Sequence, residues 1–303
     1  MKNIIIIILS VASIAGLSSC GRLDIAGAVI NRSSTEKRVE AWLEWNKTHG
    51  EPVFDNIPDS YSIYACSDAH YSDRNDFAVQ DEDDRLYNFI TAERNDPDAI
   101  FALINGDLAN QSGDTCYKII KESLKYNSAT QADNDTCFAV IGNHDVYYDC
   151  AKHFGDFFHT STYSVTVNTI GGYKDKFVFL DSGNGTFGGL QTEWLKEQLA
   201  ERNKYRHFVV ITHNWIFRTW YDYTTTPAAN LPEDEQYAFM NMMSKNNVSL
   251  VLMGHFHYRE QRYSNGVPYV MTDNLNESDG APSYMVLKCG NSISYEYREL
   301  DIK

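Results

Sequence analysis

Five short apolar runs in this chain each stop at a cluster of His, Asp or Asn. The runs cover 61–67, 99–105, 137–141, 207–212 and 249–253. They lead into Asp68-Ala69-His70, Gly106-Asp107, Gly142-Asn143-His144-Asp145, His213-Asn214 and Gly254-His255-Phe256-His257. Short apolar runs bounded by turn-forming residues predict buried strands. Between and after them the pattern predicts helices over 81–94, 117–126, 190–202 and 233–245. The first opens on an acidic turn, and the third carries Leu190, Trp194, Leu195 and Leu199 on one stripe. Strands are also predicted over 163–168 and 177–180. The tail beyond Arg259 reads as strand-rich, over 268–272, 284–287 and 293–298, with turns at Gly266-Val267 and Gly290-Asn291. Strands alternating with helices specify an α/β fold. The tail suggests a second sheet packed on the first.

In open α/β sheets, ligands bind beyond the carboxyl ends of the strands. If the five strands share one sheet, all five polar clusters converge there. Glycines at 106, 142 and 254 allow the sharp turns and close approach this needs. The converging side chains are imidazoles, carboxylates and an amide, with no cysteine, which is the ligand chemistry of zinc, iron, manganese and similar ions. Each cluster alone has an ordinary reading. Asp-x-His is usually two surface residues, Gly-Asp a turn, and a single histidine a satisfied structural one. The ordered set, with every member at a strand end, is not explained by turns alone.

That ordered set, Asp-x-His, Gly-Asp, Gly-Asn-His-Asp, His and Gly-His-x-His, resembles the calcineurin-like metallophosphoesterases, and it spans 68–257 with no motif position missing. The resemblance implies two central mixed β-sheets flanked by helices, a four-layer α/β/β/α sandwich. It implies one metal ion on Asp68, His70 and His257, a second on Asn143, His213 and His255, and Asp107 bridging both. The ions would be manganese, iron or zinc. The implied chemistry is hydrolysis of a phosphate mono- or diester by a hydroxide bridging the two ions, the ions clamping the attacking and leaving oxygens. His144 takes the position of general acid or transition-state donor, and Asp145 that of the group orienting its imidazole. Asp145 also suits a turn cap. One alternative is a phosphodiesterase specific for nucleotides or lipid headgroups. Another is a non-catalytic cell-surface binding lipoprotein that keeps the metals as structure. An intact His144-Asp145 pair favours the enzyme, since a structural site needs no proton donor.

Substrate contacts are expected in the aromatic loop after His213. Arg218 suits a phosphate, while Trp220, Tyr221 and Tyr223 suit stacking on an apolar or planar group. The same loop also reads as ordinary packed surface. Asn110 and Gln111, after Asp107, are further candidates.

The amino terminus reads as an export signal. Lys2 precedes an apolar stretch from Ile4 to Leu17 that is too short to span a membrane comfortably, and Leu17-Ser18-Ser19-Cys20 looks like the lipobox of bacterial lipoproteins. That resemblance implies a signal peptide over 1–19 and a lipidated Cys20. It places the protein, exported and lipid-anchored, at a bacterial cell envelope, on its periplasmic or surface face. Residues 20–58 read as a tether with an amphipathic helix over 35–47 carrying Val39, Trp42 and Leu43, and Pro52 and Pro58 break the chain before the domain over 59–303. Five further cysteines, Cys66, Cys116, Cys137, Cys150 and Cys289, have no zinc-knuckle spacing; their pairing is not fixed by sequence, and Cys66 reads as a buried apolar residue. A net charge of −15 without a basic run argues against dedicated nucleic-acid binding. A small phosphoester remains compatible, because bound cations dominate the local field.

Overall fold

Strands that carry apolar residues on both faces must be covered on both faces. A computed structural model of the chain describes residues 34–71, 85–110, 114–125, 137–217, 230–276 and 281–301. The amino-terminal helix is α1 (Thr35–His49). It is followed by β1 (Val53–Ile57), β2 (Tyr61–Cys66), α2 (Arg85–Arg94), β3 (Ala99–Asn105), α3 (Asp114–Lys125), β4 (Cys137–Val140) and α4 (Cys150–Phe158). Then come β5 (Tyr163–Thr169), β6 (Lys174–Leu180), α5 (Gly188–Ala200), β7 (His207–Thr212), α6 (Glu233–Lys245) and β8 (Leu250–Met253). The chain closes with β9 (Gln261–Ser264), β10 (Val267–Met271), β11 (Ser283–Cys289) and β12 (Ile293–Glu299).

The strands form two mixed sheets, ordered β1-β5-β6-β7-β8-β10-β9 and β12-β11-β2-β3-β4. Strand alternation explains how they stack, because successive side chains point to opposite faces. Ile63, Ala65, Phe101, Leu103, Phe177, Phe179, Val209 and Ile211 share one buried cluster between the sheets. Their neighbours Tyr64, Cys66, Ala102 and Ile104 turn outward to a second cluster with Leu86, Phe89, Ile120 and Phe154 of α2, α3 and α4. Val178, Leu180, Phe208 and Val210 turn the other way, to Leu195, Leu199, Phe239 and Met243 of α5 and α6. The result is the four-layer helix–sheet–sheet–helix sandwich.

The expected strands that lead into the clusters are all present, and several boundaries match to the residue. One expectation is corrected: the five strands do not share a sheet. β2, β3 and β4 are parallel neighbours in one sheet, and β7 and β8 are parallel neighbours in the other. Elements absent from the sequence reading also appear, among them β9, which pairs antiparallel with β10 across the predicted Gly266 turn. β1 lies between the two prolines, half-exposed and without alternation, and pairs parallel with β5 at the sheet edge. α4 carries an internal glycine, Gly155, which masks its helical pattern. The five cysteines are buried free thiols. Among the described residues no helix is long and apolar enough to cross a membrane.

Candidate metal centre

The carboxyl ends of β2, β3, β4, β7 and β8 meet at one edge where the two sheets face each other, so the polar clusters converge although their strands are divided. The backbone there is unusual. Asp68, His70, Asp107, His255 and His257 all take left-handed φ values, from 51° to 87°. Non-glycine residues in that region cost about 1 kcal/mol or more each and persist where the surroundings over-determine them. Here the surroundings are hydrogen bonds between the clusters. Asp68 N–H donates to Gly106 O at 2.9 Å, and His70 N–H donates to Asp107 O at 3.0 Å. His255 N–H donates to Asp68 Oδ2 at 3.0 Å, and the Ser67 hydroxyl donates to the same oxygen. Gly106, at φ 86°, lies so close to the His213 ring that a Cβ would collide with it.

Two groups of side chains result. In the first, Asp68 Oδ1 lies 3.3 Å from His257 Nε2 and 3.8 Å from His70 Nε2, and those two ring nitrogens are 3.0 Å apart. In the second, His213 Nε2 lies 3.1 Å from Asn143 Oδ1 and 3.2 Å from Asp107 Oδ2, and the His213 and His255 rings are 5.3 Å apart. Asp107 Oδ2 is also 3.8 Å from His70 Nε2, so it stands between the groups. Among the described residues, Asp68-His70-His257 and Asp107-His213-His255 are compact enough to hold a metal ion each, and His70-Asp107-His144 forms a third such set.

The donor atoms fit a cation. Asp68 Oδ1 is buried and accepts no hydrogen bond. His213 donates Nδ1–H to Asn105 O at 2.8 Å, which turns Nε2 toward the oxygens of Asn143 and Asp107. Burial pulls the His213 pKa down, but the Asp107 and Asp68 carboxylates outweigh it and lift it to about 10. Burial likewise opposes ionisation of Asp68 and Asp107. The His213 imidazole, with His257 beside Asp68 and His144 beside Asp107, holds both carboxyls below their usual range. Burial pushes His70 down to about 4 and His255 to about 3, which keeps them neutral, as ligands must be. The site therefore draws positive charge to the space between its carboxylates.

His144 is half-buried at the rim, its ring 4.6 Å from that of His70. Its backbone N–H donates to Asp107 Oδ1 at 2.7 Å, and its Nδ1–H donates to Asn110 O at 2.9 Å. This corrects the role read for Asp145. The Asp145 carboxylate accepts from Ala109 N–H and Gly142 N–H, both at 2.9 Å, from Leu108 N–H at 3.3 Å and from the Tyr117 hydroxyl at 3.2 Å. With four donors it is the turn cap that ties the loop after Asp107 to the loop bearing Asn143, and the Asn110 carbonyl orients the imidazole instead. No side-chain motif announces a backbone acceptor, so sequence reasoning missed Asn110 in this role. Gln111, Arg218, Trp220, Tyr221 and Tyr223 lie outside the described residues, as does Cys20.

The family model for calcineurin-like phosphoesterase matches residues 61–259. Among solved structures, a dimetal phosphatase from Danio rerio is similar at 10% identity and a TM-score of 0.54, over 80% of this chain and 96% of that one. The purple acid phosphatase PPD1 from yellow lupin (Lupinus luteus) is similar at 14% identity and a TM-score of 0.52, over 82% and 54%. A putative 5'-nucleotidase from Staphylococcus aureus is similar at 16% identity and a TM-score of 0.50, over 80% and 55%. This chain thus spans about half the length of the latter two, and the likeness to all three is one of fold. No curated protein sequence matches this chain.

Proposed function

This chain belongs to the calcineurin-like phosphoesterase family, whose members are metal-dependent phosphoesterases, and we propose that it hydrolyses small phosphate mono- or diesters at a two-cation centre. The observation that carries the reading is Asp107 Oδ2 standing between two separate groups of lone-pair donors. One cation would be held by Asp68, His70 and His257, the other by Asn143, His213 and His255, with Asp107 shared. The nitrogen and oxygen donors suit manganese, iron or zinc. When bound, such a pair supplies Lewis-acid activation of water and neutralises charge developing on the phosphoryl oxygens.

The chain's own residues do the rest. Asn143 and His213, fixed by their contacts, set the spacing at the deep end of the cleft. His144, with Nδ1–H committed to Asn110, is left with Nε2 as the atom through which a proton passes to the leaving-group oxygen. A leaving group held there departs as an alcohol instead of an alkoxide. Arg218, Trp220 and Tyr221 are proposed substrate contacts. Nucleotides and lipid headgroups are the two diester classes of interest. The Leu17-Ser18-Ser19-Cys20 sequence supports a lipid anchor at Cys20 that holds the domain at a bacterial cell envelope.

The test is hydrolysis of p-nitrophenyl phosphate and bis-p-nitrophenyl phosphate by the purified protein, with added manganese and with chelator. Cation-dependent turnover is the expected result, and the ratio of the two rates separates monoesterase from diesterase. Metal-loaded protein that turns over neither would count against the reading.

A further inference from the structure

Helix α1 lies outside the stretch that the family model matches, 61–259, yet a relay of contacts leads from it to the loops that carry the metal centre. Arg38 is 7% exposed and donates from both Nε, at 3.0 Å, and Nη2, at 2.7 Å, to Asp181 Oδ2. Asp181, wholly buried, follows the carboxyl end of β6. Its second oxygen, Oδ1, accepts Gly183 N–H at 2.8 Å and so closes the turn 181–183. Gln191 holds the same turn from α5, accepting Asp181 N–H at 2.8 Å and donating to Asp181 O at 2.7 Å.

This turn touches both loops of the deep group. Ser182 Oγ accepts Asn214 N–H at 2.9 Å and donates to Asn214 Oδ1 at 3.0 Å, and it accepts the Thr212 hydroxyl at 2.9 Å. It therefore grips the residues on either side of His213. Gly183 lies against the other loop: a Cβ there would sit 2.8 Å from Gly142 O and 2.9 Å from Val146 Cγ1. Only glycine allows that approach to the segment carrying Asn143 and His144. Among the described contacts, nothing comparable runs from this turn to Asp68, His70 or His257.

We propose that Arg38 is a positioning residue for the Asn143–His213 half of the metal centre. By fixing Asp181 it holds the turn that brackets the loops bearing Asn143 and His213. Groups that orient metal ligands at one remove tune affinity without touching the ion, and a guanidinium saturating one carboxylate oxygen leaves the other free for the turn. The proposal rests on the two-cation reading above.

The experiment titrates the metal-stripped chain with Mn²⁺ by calorimetry and compares wild type, Arg38→Met, Arg38→Lys and, as a reference for the affected half, Asn143→Ala. Wild type is expected to show two binding steps. In Arg38→Met the step lost in Asn143→Ala should weaken by about 10- to 100-fold while the other stays within about threefold. Arg38→Met takes the guanidinium from a buried carboxylate and threatens the fold. Arg38→Lys keeps the charge but not the two-donor contact, and it should weaken the same step by about 3- to 10-fold. A residue that only stabilised the fold would lower the melting temperature and leave both steps alone. Two unchanged steps in Arg38→Lys, or equal weakening of both steps, would overturn the proposal. A wild-type chain that takes up fewer than two cations overturns the two-cation reading, and this proposal with it.

Discussion

The two groups of donors that face each other across Asp107 are built differently. His213 is wholly buried, its Nδ1–H held by the Asn105 carbonyl and its neighbours gripped by Ser182. His257, in the other group, has a side chain 23% exposed. The charge balance differs at one residue of each pair: the carboxylates lift His213 to about 10, while burial pushes its neighbour His255 to about 3 and His70 of the other group to about 4. One half of the centre is thus part of the folded core, and its geometry is set when the sheets close. The other half is rooted in the buried Asp68 but opens toward the surface through His257. Function and stability should be entangled in the first half and separable in the second.

Removing what the halves share tests that division most severely. Asp107→Ala is expected to abolish uptake of both cations and to cut turnover by about a thousandfold or more. Metal analysis beside a hydrolysis assay checks this, and one full equivalent retained would mean that the halves do not depend on the residue between them. Next in size is the contrast between His213→Ala and His257→Ala in melting of the metal-free chain. The first strips Asp68 and Asp107 of the counter-charge they share and takes from the Asn105 carbonyl the stronger placed of its two donors, leaving only the Ser67 hydroxyl, a loss of about 3 kcal/mol or more. The second should stay within about 1 kcal/mol. Equal losses would erase the distinction between core and rim.

At the rim, His144→Ala should keep both cations and lose about a hundredfold in turnover. Asp145→Asn, by contrast, should lose about 1 to 3 kcal/mol of stability through its weakened turn while keeping more of the turnover than His144→Ala. If the two variants matched kinetically, Asp145 would belong with the imidazole after all. The smallest signal is a proton. The pKa of His213, raised from 6.5 to about 10, keeps Nε2 protonated near neutral pH, so a cation entering that half expels the proton and binds more tightly as pH rises toward about 10. His70, lowered to about 4, has none to lose. Without metal, the same His213 shift stabilises the fold fully below 6.5, and the gain fades as pH rises through about 10. Calorimetry in buffers of different ionisation enthalpy should therefore find close to one proton released from His213 at the step that fills its half.

What the sequence disclosed follows the same line. The strands before Asp68, Asp107, Asn143, His213 and His255 were legible because a continuous apolar run that ends in Gly and polar residues has few other ways to fold. The placement of those residues at one edge followed from the rule for strand ends. The division of the strands between two sheets was not legible from them, because a run buried on both faces reads the same in either sheet. β1 went unread because an edge strand with half-exposed residues shows no alternation. The capping role of Asp145 and the carbonyl of Asn110 depend on backbone groups brought together by folding, for which side-chain identity is a poor guide. The Arg38–Asp181 pair joins positions 143 residues apart, and no local pattern connects them.

The left-handed backbone at Asp68, His70, Asp107, His255 and His257 bears on how such a centre decays. At each of these positions glycine relieves strain that the present residue bears. Neutral drift after a loss of selection therefore runs downhill at His70, His255 and His257, whereas Asp68 and Asp107, whose carboxylates also accept backbone N–H groups, are held by more than the metal. A descendant chain that no longer binds metal would still carry the turns, occupied by glycine or asparagine, as a trace of the chemistry its ancestors performed.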